Sequence, residues 1–316
     1  MGRKLELALG VLNGVVGDHL ARTGNGLATE MTLVREGRPL PVTRAALSAA
    51  YPNATSRVVV LIHGSSNTES VWEFPDGQDY GSMLAGEFAF TPLYLRYNSG
   101  LAIADNGAML TTLLDGLVEH YPVPITEILL LGYSMGGLVI RSACHVARLE
   151  NRPWLQKVKH TIYVGTPHLG APLERVGRVV AKVLRWVDDP YTRLAADLAN
   201  LRSDGVKDLG NADLRHEDRE RRAQGVALTD PRHPVPLLED IQHHFIAGTL
   251  SPDPLLAALF GDALVPVPSA TNGQVHGKKS MTKPPLRVRI LPGSHVVLAH
   301  DAQVYSQIQT WCREMA

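Results

Sequence analysis

The 316-residue chain has few cysteines, no net charge and no long apolar run, and each absence narrows its possible classes. Its two cysteines, Cys144 and Cys312, lie far apart in the sequence, so nothing demands an oxidising compartment. We expect Cys144 to be a small buried thiol rather than half of a disulfide. Lys plus Arg and Asp plus Glu total 31 each, which argues against nucleic acid or an anionic surface as the main partner.

We expect the N-terminal segment to be neither a membrane span nor a signal peptide. No stretch of the chain approaches the roughly 18 uninterrupted apolar residues that a transmembrane helix requires. The start is basic, but Glu6 interrupts the apolar run and no A-x-A site follows, so we expect a cytoplasmic protein. One face of an amphipathic helix is predicted from the spacing of Leu5, Leu9, Leu12, Val16 and Leu20. We expect this helix to pack on the domain, with peripheral contact to lipid as the alternative.

What the sequence does contain is a core large enough for one α/β domain spanning residues 1–316, with residues 1–50 as a helical N-terminal extension. Hydrophobic residues make up 45% and charged residues 20%, as is typical of a globular enzyme. Short apolar segments alternate with helical patterns, which predicts a mostly parallel sheet flanked by helices. The predicted strands lie at 57–62, 90–97, 128–131, 158–164, 244–249 and 286–291.

The stretch 127–145 carries the strongest functional signal. Its apolar strand, 128–131, runs directly into Gly132-Tyr-Ser-Met-Gly136, a match to G-x-S-x-G, and residues of helical spacing follow. In this strand–turn–helix context the motif predicts a nucleophile elbow, in which a strained turn exposes the hydroxyl of Ser134. The N-terminus of the following helix directs backbone N–H groups and a positive dipole towards charge that develops at the serine.

A second buried strand ends at His63-Gly64-Ser65, where an enzyme of this type has its first oxyanion loop. We predict that the N–H groups of Ser65 and Met135 form the oxyanion hole. We assign His63 and Gly64 to the substrate-binding wall. For His63, a structural role in bracing the loop is the preferred alternative to a catalytic one.

The serine needs a histidine as base, and that histidine needs a carboxylate to hold its tautomer. In enzymes built around a nucleophile elbow, the serine is followed along the chain by the acid and then by the histidine, the last two on loops after late strands. Asp262 and His295 fulfil that order, so we predict that they are the acid and the base. His300 is the alternative base and Asp253 the alternative acid.

Two further segments bear on the substrate. The loop Gly165–Pro172 follows a strand at the sheet edge where α/β proteins bind ligands, and His168 within it either contacts substrate or shapes the loop. Residues 173–235 contain apolar residues at helical spacing and then a strongly charged stretch. We predict a helical cap insertion there, lying over the serine with an apolar face towards an acyl pocket. Packing on the sheet is a compatible alternative.

Four pieces of the sequence carry a resemblance to a known family. They are Gly132–Gly137, Gly165–Gly170, Gly261–Pro266, and His295 with Val304-Tyr305 downstream. Together they resemble the bacterial esterase/lipase group of α/β hydrolases, which is similar to the GPI-inositol deacylase-like lipases. The resemblance covers roughly residues 57–312 and implies the α/β-hydrolase fold.

The resemblance also implies the chemistry: a serine carboxylesterase or lipase acting on a small-molecule or lipid ester, with Ser134, Asp262 and His295 as its triad and no cofactor. We identify no cluster of metal ligands. In these enzymes the acid is commonly followed by glycine, whereas here the next residue is Ala263. An acyltransferase uses the same triad, and a non-catalytic binding protein of the same fold is a more distant alternative.

Overall fold

One mixed sheet organises the part of the chain that the structure describes. The structure is a computed structural model that describes residues 3–171, 203–223, 235–251, 261–273 and 286–315. Its strands are β1 (Thr32–Arg35), β2 (Arg38–Leu40), β3 (Arg57–Ile62), β4 (Thr91–Arg96), β5 (Glu127–Tyr133), β6 (Val158–Val164), β7 (Gln242–Thr249) and β8 (Leu286–Pro292). In the sheet they follow the order β2-β1-β4-β3-β5-β6-β7-β8. Strands β3 to β8 are parallel, and β1 pairs antiparallel with both of its neighbours.

Helices cover both faces of this sheet. They are α1 (Arg3–Arg22), α2 (Arg44–Ala50), α3 (Tyr80–Phe88), α4 (Ile103–His120), α5 (Met135–Leu149), α6 (Asp204–Asn211), α7 (His216–Ala223), α8 (Val267–Ala270) and α9 (Ala302–Met315). Short 3₁₀ turns lie at Glu69–Trp72, Pro153–Lys157 and His295–His300. The predicted mostly parallel sheet flanked by helices is therefore confirmed.

Strand β3 shows why the sheet is buried on both sides. Val58, Val60 and Ile62 belong to a core that includes residues of α2, α4 and α5. Val59 and Leu61 point to the opposite core, which includes residues of α3 and α9. Because a central parallel strand is covered on both faces, its sequence is continuously apolar instead of alternating.

The N-terminal segment contributes to the sheet as well as forming a helix. Residues 32–40 form β1 and β2 at one edge of the sheet. The predicted helix is present as α1, with a kink where Val16 has φ −135° and ψ 16°. Its side chains at 10–18 are all buried, as expected for packing on the domain. In the part of the chain described here, no helix combines the length and apolar character that crossing a bilayer requires.

Of the predicted cap, 173–235, residues 203–223 and Val235 lie within the described residues; 173–202 and 224–234 lie outside them. The described part consists of α6 and α7 and is fixed to the domain by polar contacts. Asp208 Oδ2 accepts a hydrogen bond of 3.0 Å from the N–H of Ile103, at the start of α4. Ser142 Oγ on α5 donates to the carbonyl of Leu214 at 2.8 Å. A cap over the serine stays a prediction.

Both cysteines are buried and free, as expected for structural thiols. Burial raises the pKa of Cys144 and that of Cys312 to about 12, so each is a neutral thiol at physiological pH. Neither position is suited to redox chemistry.

Two buried histidines on β7 are held in the neutral form. Burial lowers the pKa of His243 to about 4 and that of His244 to about 3. His243 Nε2 donates to the carbonyl of Leu238 at 3.1 Å, and its Nδ1 accepts from the Thr161 hydroxyl at 2.7 Å. The His244 ring packs on Trp311 of α9, with 4.8 Å between ring centroids. Protonating either ring would bury a charge.

Because these two histidines are buried in the neutral form, we predict that the protein loses stability as the pH falls below about 6.5, the ordinary histidine pKa. As the pH falls, these histidines take up protons in the unfolded chain before they do so in the folded chain. The stabilisation is therefore complete above about pH 6.5 and is lost as the pH falls towards the folded-state pKa values. We expect each histidine to contribute about 1.4 kcal/mol per pH unit to the slope of the unfolding free energy. Urea unfolding at a series of pH values between about 7.5 and 4.5 measures this slope. His244→Gln should reduce this slope by one histidine's share, and an unchanged slope in His244→Gln would contradict the assignment.

Candidate active site

Ser134 occupies a sharp turn between β5 and α5. Its φ is +51° and its ψ −122°, a backbone conformation that a residue with a side chain rarely adopts. The Ser134 N–H donates to the carbonyl of Val164 on β6 at 2.8 Å. A Cβ on Gly136 would lie 2.3 Å from the carbonyl oxygen of Ile62 on β3. The turn is therefore hydrogen-bonded to β6 and packed closely against β3. The close packing on β3 explains why position 136 requires glycine.

The three residues predicted as a triad lie together in the structure. His295 Nε2 lies 2.9 Å from Ser134 Oγ, and His295 Nδ1 lies 2.8 Å from Asp262 Oδ2. With Nδ1–H donating to the carboxylate, Nε2 is the acceptor for the serine hydroxyl, the tautomer that a general base needs. The alternative base, His300, instead contacts the carbonyl of Val71 at 3.3 Å. The alternative acid, Asp253, lies outside the described residues.

Backbone hydrogen bonds hold Asp262 and His295 in register. Asp262 Oδ1 accepts from the N–H groups of Leu264 and Val265 at 3.1 and 2.8 Å, which leaves Oδ2 for the imidazole. The His295 N–H donates to the Asp262 carbonyl at 2.9 Å. The loops after β7 and β8 are therefore joined by their main chains, and the side-chain contact follows from that junction.

Tyr133, which the sequence reasoning did not single out, contacts the histidine twice. Its hydroxyl donates to the His295 carbonyl at 2.8 Å, and its ring stacks on the imidazole with 5.2 Å between centroids. Burial raises the pKa of this phenol, so it remains a proton donor. Tyr133 occupies a variable position of G-x-S-x-G, and the pattern itself gives no reason to select it.

The predicted oxyanion loop lies directly against the nucleophile. A Cβ on Gly64 would lie 3.0 Å from the Cβ of Ser134. Among the residues described, no group accepts a hydrogen bond from the N–H of Ser65 or from that of Met135. Unpaired donors beside the serine are what an oxyanion hole requires, because they must be free for the reacting carbonyl oxygen.

His63 braces this loop. Its Nδ1–H donates to the Gly64 carbonyl at 2.8 Å, and its Nε2 accepts from the Tyr97 N–H at 3.3 Å. The two rings stack with 4.3 Å between centroids, and the Tyr97 hydroxyl donates to the His63 carbonyl at 2.8 Å. Burial lowers the pKa of His63 to about 4, so it is neutral. These contacts match the structural alternative for His63, because both ring nitrogens already have protein partners.

His168 is buried in the loop after β6. Its Nδ1 accepts a hydrogen bond from Arg141 Nη1 at 3.1 Å, and its ring edge packs on Tyr163 and Phe245. Burial and the Arg141 charge lower its pKa well below the ordinary value, so the ring is neutral. The contacts support its role in loop structure, while a contact with substrate stays a prediction. No group of three or more metal-ligating side chains gathers within the described ranges.

Comparison with known proteins adds a family and a fold. A model described as the alpha/beta hydrolase family matches residues 59–307. No curated protein sequence matches the chain significantly. The mature form of lipase BlEst2 from Bacillus licheniformis aligns with a TM-score of 0.51 at 18% identity, over 81% of this chain and 91% of the lipase. An esterase of Pyrococcus furiosus, Pf2001, aligns with a TM-score of 0.47 at 12% identity, over 83% of each chain. At such identity, the likeness to the lipase shows a shared fold.

Ala263, which follows the predicted acid, has a strained backbone. Its φ is +81°, in the region that favours glycine. The turn that presents Asp262 therefore requires a backbone conformation that favours glycine, and in this chain an alanine adopts it.

Replacing Ala263 with glycine should stabilise the protein. Relief of the left-handed strain, about 1–2 kcal/mol, exceeds the extra unfolded-state entropy of glycine, so we expect a net gain of up to about 1 kcal/mol. Differential scanning calorimetry should show a higher melting temperature. The matched control is Ala108→Gly in α4, an exposed position in a regular helix, which should lose about 1 kcal/mol. A loss at both positions would contradict the strain at Ala263.

Proposed function

Because the chain belongs to the α/β hydrolase family, we propose that it is a serine carboxylic-ester hydrolase, an esterase or lipase that reacts through an acyl-enzyme on Ser134. The observation that carries the proposal is the continuous hydrogen-bonded chain from Ser134 Oγ to His295 at 2.9 Å and from His295 to Asp262 at 2.8 Å. All three side chains are buried at the carboxyl edge of the sheet, where solvent competes little with these contacts.

In the proposed mechanism Ser134 Oγ attacks the ester carbonyl carbon while His295 Nε2 takes the hydroxyl proton. Asp262 stabilises the imidazolium that forms. The carbonyl oxygen becomes an oxyanion and accepts hydrogen bonds from the N–H groups of Met135 and Ser65, each worth about 3 kcal/mol. His295 then returns the proton to the departing alcohol. Water, deprotonated by the same histidine, hydrolyses the acyl-enzyme and releases the acid.

Exposed apolar side chains support an ester with an apolar acyl group, or contact with lipid. Leu169, Leu250 and Val296 are 47%, 58% and 55% exposed and lie on the loops that follow β6, β7 and β8. Those strand ends share the sheet edge that carries Ser134. The resemblance of the motifs to GPI-inositol deacylase-like lipases supports the same substrate class.

Hydrolysis of p-nitrophenyl esters from acetate to palmitate tests the proposal. We expect wild-type protein to release p-nitrophenol, and Ser134→Ala to lose at least about 10⁴-fold in kcat because the nucleophile is gone. Ser306→Ala, a surface serine on α9, is the control and should retain full activity. The optimum in acyl-chain length separates an esterase from a lipase.

Other outcomes point to the alternatives. Transfer of the acyl group to an added alcohol in preference to water would indicate an acyltransferase. Wild-type protein that hydrolyses no ester and does not react with a fluorophosphonate probe at Ser134 would contradict the proposal and favour a binding protein.

Substitution of the two acid candidates tests the triad. Asp262→Asn should reduce kcat by about 10⁴-fold, because an amide holds the imidazole in the wrong tautomer. Asp253→Asn should leave kcat unchanged. Steady-state kinetics on the best p-nitrophenyl ester measures both variants, and the opposite ranking would move the role of the acid to Asp253.

A further inference from the structure

The loop that carries the Ser65 N–H, residues 63–68, lies between Ser134 and helix α1. On its inner side, Gly64 packs against Ser134. On its outer side, a Cβ on Gly14 of α1 would lie 2.1 Å from Ser66 Oγ and 2.7 Å from Ser66 Cα. The backbone of α1 therefore touches this loop directly, and only glycine at position 14 permits the approach.

Ser66 turns the chain immediately after the proposed oxyanion donor. Its φ is +59°, a left-handed conformation that is unfavourable for a serine. The hydroxyls of Ser65 and Ser66 are buried and find no partner among the described residues, so neither holds the turn. The Ser66 N–H donates to Ser99 Oγ at 3.0 Å, a polar contact between this turn and a distant part of the chain.

Ser99 is in turn fixed to α1 by its neighbours in the loop after β4. Asn98 Nδ2 donates to the Gly17 carbonyl at 2.9 Å, just after the kink in the helix. A Cβ on Gly100 would lie 2.2 Å from the carbonyl oxygen of Asn13. Asn98 and Ser99 are each only 1% exposed, so water does not compete for these hydrogen bonds.

We propose that Ser99 is a positioning residue for the oxyanion hole and that α1 holds both Ser99 and Ser66 in place. The inference rests on the proposed esterase function, because it assigns Ser65 N–H to the oxyanion. It gives a role in the reaction to α1 (Arg3–Arg22), which precedes the family match at residues 59–307. Since the oxyanion is absent from the bound substrate and forms only during the reaction, losing this support should lower kcat and leave KM unchanged.

The test compares Ser99→Ala with wild type in ester hydrolysis and in binding of an alkyl boronic acid. Boron accepts the Ser134 oxygen and forms a tetrahedral anion that mimics the oxyanion intermediate. We expect kcat to fall about tenfold, part of the 10²–10³ that a whole donor contributes, and boronate affinity to fall by the same factor. KM and the affinity for the carboxylic acid product should stay within about twofold. Ser99→Thr keeps the hydroxyl and should restore both values.

A second variant perturbs residues 63–68 through a substitution in helix α1. Gly14→Ala pushes against Ser66 and should reproduce the loss in kcat and in boronate affinity. Gly26→Ala is its matched control, because an added Cβ there meets no atom within 4 Å. Unfolding temperatures of all variants show whether they are folded under assay conditions.

The outcomes distinguish the two proposals. Wild-type protein without ester hydrolysis would overturn both of them. Active wild type together with unchanged kcat and boronate affinity in Ser99→Ala would overturn the positioning role alone. So would a loss of activity that lowers kcat without changing boronate affinity, or that Ser99→Thr fails to restore.

Discussion

The left-handed turn at Ser134 is the constraint on which the rest of the site depends. It directs a hydroxyl out of the sheet at the point where β5 becomes α5. Such a turn persists only if its surroundings hold it. Here the Ser134 N–H bonds to β6, and Gly136 packs on the carbonyl of Ile62 in β3. Ser134, the proposed nucleophile, is thus held by the sheet, and its position changes only if β3, β5 or β6 moves.

Asp262 and His295, the proposed acid and base, reach this fixed point on two loops that are joined to each other. The hydrogen bond from the His295 N–H to the Asp262 carbonyl sets the distance between their backbones. Tyr133, next to the nucleophile, then binds the His295 carbonyl and stacks on its ring. Contacts with Asp262 and with Tyr133 therefore fix the position of His295 before any substrate binds. Preorganisation of this kind lowers the reorganisation that the reaction would otherwise require.

The features that could be predicted from the sequence are those that depend on local residue patterns and on chain order. The strands were visible as apolar runs. Ser134, Asp262 and His295 were predicted to lie together from the motif and the chain order, because parallel strands bring their carboxyl ends to one edge. Tyr133 and Ser99 were missed because their roles depend on contacts across 162 and 33 residues that no local pattern encodes. The amphipathic pattern of α1 also predicted one buried face, whereas its middle is buried on all sides because loops cover its glycines.

Three of the eight non-glycine residues that have positive φ in the described part of the chain lie where the proposed chemistry takes place. Ser66, Ser134 and Ala263 all have positive φ, at +59°, +51° and +81°, and they lie on the oxyanion loop, the elbow and the acid turn. At Ser134 the strained turn presents the proposed nucleophile to His295, and at Ser66 it turns the chain next to a proposed oxyanion donor. Glycine at Ser66 would remove the strain but would also enlarge the range of conformations open to the loop. At Ser66, a substitution that relieved the strain would therefore hold the Ser65 N–H less firmly. Packing against α1 allows the strained conformation to persist.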